Sequence, residues 1–209
     1  MHYVFVHGLG QNFSSWNKII ESLNLDLNVS CPDLFTLLGN TNPTYENLYH
    51  EFKGYCDNLR GPLNLCGISL GAILSLNYTI DRPDKVTSLV LIGAQYKVPK
   101  LLFAIQNCMF YFMPKAVFLK MGVDKKQVIG LTKSMTHLNF TKELVDITCD
   151  SLIVCGEKDF ANKRAAEKLN THISNSKYLL IKGGGHELNK DHSGELSYIL
   201  DRFWSKEKK

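Results

Sequence analysis

The stretch Leu63-Asn64-Leu65-Cys66-Gly67-Ile68-Ser69-Leu70-Gly71-Ala72 decides how the 209-residue chain is interpreted. It joins an apolar run to a segment with helical spacing through the pattern Gly-x-Ser-x-Gly. A strand-to-helix turn of this kind is so tight that a side chain at either glycine would collide with neighbouring backbone. The serine at its apex projects its hydroxyl clear of the sheet, as a nucleophile requires. The alternative interpretation is a glycine-rich packing turn without chemistry.

Apolar runs alternate with amphipathic segments on both sides of this turn, which predicts parallel strands connected by helices. Several runs are almost continuously apolar, as expected for strands covered on both faces. The predicted strands are residues 2–6, 27–30, 63–66, 86–92, 151–155 and 178–181. The predicted helices are residues 14–23, 45–59, 70–80, 162–171 and 189–203. The sequence therefore predicts an α/β fold with one doubly wound, mostly parallel sheet of about six strands.

Residues 97–140 interrupt this alternation. They follow a predicted strand, yet they contain helical segments separated by Pro99, Pro114, Gly122 and Gly130. The sequence contains no internal repeat and no flexible linker that would detach them. We therefore expect residues 1–209 to form a single domain, with residues 97–140 as a helical lid packed on the sheet.

The composition restricts the class of protein. With 44% hydrophobic and 21% charged residues, the chain matches one compact globular domain. Its formal net charge of +4 is mild and its lysines are dispersed, whereas nucleic-acid binding usually needs a focused basic face. The longest apolar stretch, residues 101–113, is shorter than the roughly 20 residues of a membrane-spanning helix. We expect neither a nucleic-acid partner nor a membrane span.

The six cysteines lack the paired spacing of a zinc site or a redox motif, so no metal or cofactor is predicted. Cys66 and Cys155 lie in predicted central strands, where a reduced cysteine behaves as a small hydrophobic residue. The N-terminal apolar run lacks the basic start and the cleavage site of a signal peptide. Together these features predict a cytoplasmic protein.

A serine hydroxyl becomes a nucleophile when a base accepts its proton, and two later strands end in suitable partners. Residues 151–155 are followed by a glycine turn and then by Asp159. Residues 178–181 are followed by three glycines and His186, and these glycines allow a loop to bring the imidazole over Ser69. We predict His186 as the general base and Asp159 as the acid that orients it.

Each partner also has an ordinary explanation when it is considered alone. His186 is then an exposed loop histidine, and Asp159 is an N-cap for the helix that begins near Asn162. Glu157 is the alternative acid, and His192 is the alternative base.

The first predicted strand ends in Val6-His7-Gly8-Leu9-Gly10. Glycines here let the backbone turn sharply and leave an N–H group free to meet a substrate oxygen. We predict that the backbone N–H groups of Leu9 and Leu70 form an oxyanion hole. In the alternative interpretation this is a flexible turn with a packed, structural His7, and the two interpretations are compatible because His7 need not transfer protons.

These segments together resemble the α/β-hydrolase superfamily, in particular its small lidded esterases, lipases and carbon–carbon-bond hydrolases. The resemblance covers nearly the whole chain and implies Ser69, Asp159 and His186 as a catalytic triad. The matching segments, in the family's order, are residues 6–10 with Trp16, residues 32–34, the turn around Ser69, Arg82-Pro83 with Val86, residues 150–159 and Gly185-His186. A serine nucleophile implies an acyl-enzyme, whereas related dehalogenases and epoxide hydrolases use an aspartate.

Two features depart from the family pattern. Many members have a glycine-rich turn after the Pro-Asp pair, but this chain has a loop of Phe35-Thr36-Leu37-Leu38-Gly39-Asn40, so we expect that side of the pocket to differ. The chain also begins at what would be the third family strand. We therefore expect the antiparallel edge hairpin of larger members to be missing.

The expected reaction is hydrolysis of a carboxylic ester or thioester of a small apolar acyl group. Apolar lid residues are candidates for the acyl pocket, although more than half are expected only to pack the lid on the body. These candidates are Leu101, Leu102, Phe103, Ile105, Met109, Phe110, Phe112, Phe118 and Met121. The alternatives are a carbon–carbon hydrolase or lyase on the same triad, and a ligand receptor with little turnover.

Overall fold

Six strands form one sheet at the centre of the fold, in a computed structural model that describes residues 1–23, 28–39, 41–99, 109–120 and 123–205. The strands are β1 (His2–Val6), β2 (Asn28–Ser30), β3 (Leu63–Ile68), β4 (Val86–Ile92), β5 (Asp150–Gly156) and β6 (Ser176–Ile181). Their order is β2-β1-β3-β4-β5-β6, and every neighbouring pair is parallel. The predicted fold class is confirmed.

The order of the strands reverses at β1, because β2 is added on one side and β3 to β6 on the other. Open α/β sheets bind ligands beyond the carboxyl ends of their strands at such a point. The register aligns these ends, with Val6 opposite Gly67 and Gly67 opposite Leu91. The turns that follow β1, β3 and β4 therefore meet at one edge of the sheet.

Helices cover both faces of the sheet. The helices with described bounds are α1 (Asn17–Ser22), α2 (Leu34–Leu38), α3 (Tyr45–Asn58), α4 (Leu70–Asp81), α5 (Lys115–Lys120), α6 (Lys125–Ser134), α7 (Phe160–His172), α8 (Leu188–Asp191) and α9 (Ser193–Ser205). Of these, α5 and α6 belong to the 97–140 segment. Successive strand residues point to opposite faces, so Leu89 packs on the side of α3, α4 and α7 while Val90 packs on the side of α1 and α9. Within the described part of the chain, no helix is long and apolar enough to cross a membrane.

Two local predictions are wrong. The predicted loop after the Pro-Asp pair is largely α2, because the Asp33 carboxylate accepts a hydrogen bond from the Thr36 N–H and caps a helix whose Leu34 and Leu38 are buried. The predicted last helix is divided into α8 and α9, since His192 has non-helical backbone angles. Leu27 and Asn40, which belonged to a predicted strand and to the predicted loop, lie outside the described residues.

The two ends of the 97–140 segment lie side by side just beyond β4. Lys97 and Asn139 form an isolated antiparallel bridge, and the Phe140 N–H donates to the Tyr96 carbonyl at 2.8 Å. Between these ends, the Nζ atom of Lys125 donates to the carbonyls of Tyr111 and Met113, each at 2.7 Å. A small apolar cluster around Phe118 packs this segment against Leu9 and Phe35 of the body.

Candidate active site

Ser69 occupies a strained turn between β3 and α4. Its φ of 55° makes it the one non-glycine residue with positive φ among those described, a conformation that costs free energy for an L-residue. The Ser69 N–H donates to the Ile92 carbonyl at 2.9 Å, which ties the turn to β4. A Cβ on Gly67 would collide with the Gly71 backbone, and a Cβ on Gly71 would collide with the Val6 carbonyl. The crowding that the sequence predicted is therefore present at both glycines.

His186 and Asp159 form a direct pair, with 2.7 Å between Nδ1 of the ring and Oδ2 of the carboxylate. The Asp159 carboxylate does not cap α7, although it immediately precedes that helix, and only 6% of the residue is exposed. The His186 ring keeps 41% of its surface exposed, so a ligand can reach it. Close packing of Gly156 against the Gly185 carbonyl holds the end of β5 against the histidine loop.

The contact with Asp159 determines which nitrogen of the His186 ring carries the proton. A carboxylate only accepts hydrogen bonds, so Nδ1 carries a proton and Nε2 of the neutral ring is left as the acceptor. The hydrogen bond that His186 donates to Asp159 raises the pKa of His186 above its ordinary value, against the lowering effect of burial. The nearby Glu187 carboxylate adds to this increase in the pKa.

Asn162 also binds the Asp159 carboxylate, close to the histidine ring. Its Nδ2 atom donates to Oδ1 and Oδ2 at 2.8 and 2.9 Å, and it lies 3.2 Å from Nδ1 of His186. The Nε2 atom of Gln95 donates in turn to Oδ1 of Asn162 at 2.8 Å. The sequence indicated Asn162 only as the start of a helix. Its polar side chain three residues after the predicted acid was the available signal.

Gly93 is a further residue that the sequence analysis missed. It follows β4 directly and has a φ of 54°. A Cβ at this position would lie 3.0 Å from Nδ1 of His186 and 3.2 Å from Oδ2 of Asp159. A side chain here would crowd the pair and would be strained at this positive φ, so glycine suits the position. A glycine immediately after an apolar strand was the signal.

His7 has a structural role beside the predicted oxyanion hole. It is fully buried, its Nε2 accepts from the Leu34 N–H at 3.1 Å, and its Nδ1 lies 2.9 Å from the Gly8 carbonyl. Burial lowers the pKa of His7, which keeps the ring neutral in this arrangement. Leu9 and Leu70 both line the cavity, and neither backbone N–H has a hydrogen-bond partner within the described ranges.

Gln11 connects this loop to the histidine loop. Its Oε1 atom accepts from the Gly8 N–H at 3.3 Å and from Nδ2 of Asn189 at 3.0 Å. Its Nε2 atom donates to Oε1 of Glu187 at 2.8 Å. Gln11 is buried, with 6% of its surface exposed. Its hydrogen bonds connect the turn after β1 to Glu187, the residue that follows His186. No local sequence pattern indicated this contact.

The alternative acid and base lie elsewhere. Oε2 of Glu157 accepts from the Gly183 N–H at 2.8 Å and stabilises the turn after β6. Nδ1 of His192 is buried and has no hydrogen-bond partner among the residues that the structure describes, and neither Glu157 nor His192 lines the cavity. Ser69, Asp159 and His186 all line it. No three side chains of His, Cys, Asp or Glu converge as metal ligands in the part of the chain described.

The cavity has a volume of about 440 Å³ and is closed on one side by the 97–140 segment. That segment contributes Phe110, Met113, Phe118, Val128, Thr132 and Met135 to its lining. Of the predicted acyl-pocket residues, Phe110 and Phe118 line the cavity, whereas Met109 and Phe112 are exposed. The other predicted candidates, Leu101, Leu102, Phe103, Ile105 and Met121, lie outside the described residues.

This combination of a six-stranded parallel sheet and a strained serine turn agrees with the comparisons with known proteins. The sequence model of the alpha/beta hydrolase fold family matches residues 3–119, more than half of the chain. The chain therefore belongs to the α/β-hydrolase fold family, and this membership supports hydrolase activity.

Solved structures cover almost the entire chain. MenH from S. aureus is 17% identical with a TM-score of 0.83, and the match covers 100% of this chain and 95% of that one. The enol-lactonase from Burkholderia xenovorans is 16% identical with a TM-score of 0.80, over 98% of this chain and 91% of that one. An esterase from Thermogutta terrifontis is 18% identical with a TM-score of 0.80, and the match covers 99% of this chain and 90% of that one. At these identities the likeness concerns the fold.

Proposed function

We propose that this protein is a serine hydrolase that cleaves a carboxylic ester or thioester of a small apolar acyl group. Ser69 is the nucleophile, His186 the general base and Asp159 the acid that orients the base. The observation that carries this proposal is the 2.7 Å contact between His186 and Asp159 in the cavity that Ser69 lines. It supports a nucleophile, a base and an orienting acid acting on one bound substrate.

In the proposed reaction, Oγ of Ser69 attacks the substrate carbonyl carbon while Nε2 of His186 accepts the hydroxyl proton. The N–H groups of Leu9 and Leu70 donate to the developing oxyanion, and the N-terminus of α4 favours its negative charge. The bond to the leaving oxygen or sulfur then breaks, and His186 returns the proton to it. Water, activated by the same base, attacks the acyl-enzyme and restores Ser69.

The apolar part of the cavity is the proposed acyl site, and the 97–140 segment is the proposed lid. A volume of about 440 Å³ lies within the range of small-molecule sites. The rings of Phe110 and Phe118 pack edge to face with their centroids 5.8 Å apart, which gives the acyl site an aromatic wall. Burial of a hydrocarbon chain against this wall supplies binding free energy in proportion to its apolar area.

The test is covalent labelling with a fluorophosphonate probe, followed by kinetics on aryl esters of increasing acyl length. The wild-type protein should be labelled once per chain, and Ser69→Ala should be neither labelled nor active while its far-UV circular dichroism is unchanged. Labelling that persists in Ser69→Ala would contradict the assignment. A folded wild-type protein that is not labelled at all would favour the ligand-receptor alternative.

A further inference from the structure

A second cleft adjoins the catalytic cavity. It has a volume of about 270 Å³ and lies between the chain that follows β4 and the outer face of α7. Gln95 and Ala161 line both the cleft and the cavity, so the two spaces share part of their wall. A substrate that extends out of the cavity past these two residues enters the cleft.

Three cationic side chains, those of Lys97, Arg164 and Lys168, line this cleft, and none of the described residues that line it is acidic. Arg164 and Lys168 are four residues apart on α7 and therefore lie on the same side of that helix. All three residues are exposed, and none forms an ion pair with a described residue. Cations gathered in a concavity produce a positive potential that attracts a multiply charged anion. We call this space the basic cleft.

The position of Lys97 is fixed by the fold. Lys97 forms the antiparallel bridge with Asn139 at the base of the 97–140 segment. The preceding residue, Tyr96, is nearly buried, and its ring stacks on His172 of α7 with 6.3 Å between centroids. The backbone that carries Lys97 is therefore attached to the helix that carries the other two cations, which favours a preformed site.

We propose that the basic cleft binds phosphate on the leaving group, so that the substrates are acyl thioesters or esters whose thiol or alcohol carries phosphate. This inference rests on the proposed function, since the acyl chain lies in the apolar cavity and the scissile carbonyl lies at Ser69. The leaving group then passes Gln95 and Ala161 and places its phosphate among the three cations. Arginine and lysine form charge-assisted hydrogen bonds to phosphate oxygens, and three cations match a phosphate dianion or pyrophosphate better than a single carboxylate.

Two thioesters test the proposal, and competition by inorganic pyrophosphate then separates the phosphates of coenzyme A from its pantothenate arm and adenosine. Butyryl-coenzyme A and butyryl-N-acetylcysteamine have the same acyl group and the same thiol end, but only the former carries phosphates. In the triple variant Lys97→Gln/Arg164→Gln/Lys168→Gln, the KM for butyryl-coenzyme A should rise by about tenfold or more, with kcat nearly unchanged. The kcat/KM for the neutral thioester should not change. Lys163→Gln is the control, because it removes a charge from α7 at a position that does not line the cleft.

Binding without turnover separates this proposal from the proposed function. Ser69→Ala should bind butyryl-coenzyme A in calorimetry, more weakly as ionic strength rises, and should lose this binding when the three substitutions are added. Inorganic pyrophosphate should compete with butyryl-coenzyme A in the wild-type protein and not in the triple variant. Equal kcat/KM for both thioesters, unaffected by the triple substitution, would overturn the cleft assignment and leave the proposed function intact. Hydrolysis by Ser69→Ala would overturn the proposed function, while the calorimetry would still decide on the cleft.

Discussion

The Asp159 carboxylate accepts hydrogen bonds from His186 and, through both oxygens, from Asn162. We expect Asp159→Asn to lower kcat/KM by about three to four orders of magnitude, because an amide stabilises the wrong imidazole tautomer. Glu157→Gln is the matched control, since among the residues described the Glu157 carboxylate accepts a hydrogen bond only from the Gly183 N–H. The kcat/KM of both variants is measured by steady-state kinetics on an aryl ester. A larger loss for Glu157→Gln would mean that the acid is misassigned.

Asn162 acts through Asp159 and does not need to touch the substrate for this effect. Asn162→Ala removes two donors from a buried carboxylate, so we expect kcat to fall by roughly tenfold with little change in KM. Gln95→Ala should have a smaller effect on kcat, because Gln95 contacts Asp159 only through Asn162. Stopped-flow measurement of the acylation rate distinguishes a slower chemical step in Asn162→Ala from slower product release. Wild-type acylation by Asn162→Ala would exclude the positioning role.

The raised pKa of His186 determines the pH profile. Only the neutral ring accepts the Ser69 proton, so kcat/KM should rise with pH through the pKa of His186. Since the Asp159 hydrogen bond raises this pKa, the inflection should lie above the ordinary histidine value of about 6.5. Glu187→Gln removes a second carboxylate that raises it and should move the inflection to lower pH. A profile that is flat between pH 5 and 9, at constant fold, is incompatible with a histidine base.

Among the elements, the central strands could be predicted from the sequence, while the short helix α2 could not. The bounds of β1 and β4 match the predicted bounds at both ends. Each strand contains an uninterrupted apolar run, residues 3–6 or 89–92, which is closed by His7-Gly8 or by Gly93. The α2 sequence, LFTLL, has no polar face that would indicate helical periodicity. Its helix depends on the Asp33 cap and on burial of Leu34 and Leu38, which are consequences of tertiary packing.

The 97–140 segment should control the preferred acyl length. Phe110→Ala enlarges the cavity, so we expect faster turnover of longer esters, with each additional methylene worth about 1 to 3 kcal/mol of discrimination. Phe118→Ala should do the same but should also lower the free energy of unfolding by about 3 to 5 kcal/mol, since Phe118 is buried. Phe112→Ala is the control, because Phe112 is 78% exposed and does not line the cavity.

These substitutions are compared by kcat/KM over an ester series and by denaturation midpoints. Identical acyl-length profiles for Phe110→Ala, Phe118→Ala and Phe112→Ala would show that the segment only packs on the body. The acyl site would then have to be formed by Leu9, Leu70 and Ile73 of the body.

At the scale of the whole molecule, the candidate site combines residues that a motif indicates with residues that only the fold brings together. Ser69 and His186 each follow an apolar strand in a glycine-rich context, so the sequence is sufficient to propose them. Gln11 and Asn189 are 178 positions apart, and their contact depends on β1 and the histidine loop meeting at one edge of the sheet. No local pattern encodes such a contact, which is why both residues were missed.

Gln11 should therefore affect kcat for all substrates, because it connects the turn after β1 to the histidine loop. Gln11→Leu has similar size but breaks the hydrogen bonds to Gly8 and Glu187, so we expect kcat to fall by about tenfold for every acyl length. KM should change little. Asn12→Ala is the control, because Asn12 only caps the exposed turn that begins at Phe13. A loss confined to KM, or to one acyl length, would contradict this role.

The bridge between Lys97 and Asn139 also affects how easily the segment between them can be exchanged. It brings both ends of the 97–140 segment together, and β4 and β5 are already hydrogen-bonded neighbours in the sheet. Closing the chain between Lys97 and Asn139 therefore needs only a short turn, because residues 93–96 and 140–149 still provide the crossover between these parallel strands. The entropy of loop closure changes only slowly with the length of what is inserted. A foreign segment with an equivalent apolar underside, grafted at this point, should therefore leave the strand order unchanged. Under the proposed role of the 97–140 segment, such a graft should transfer substrate preference, while Ser69, His186 and Asp159 stay in the host sheet.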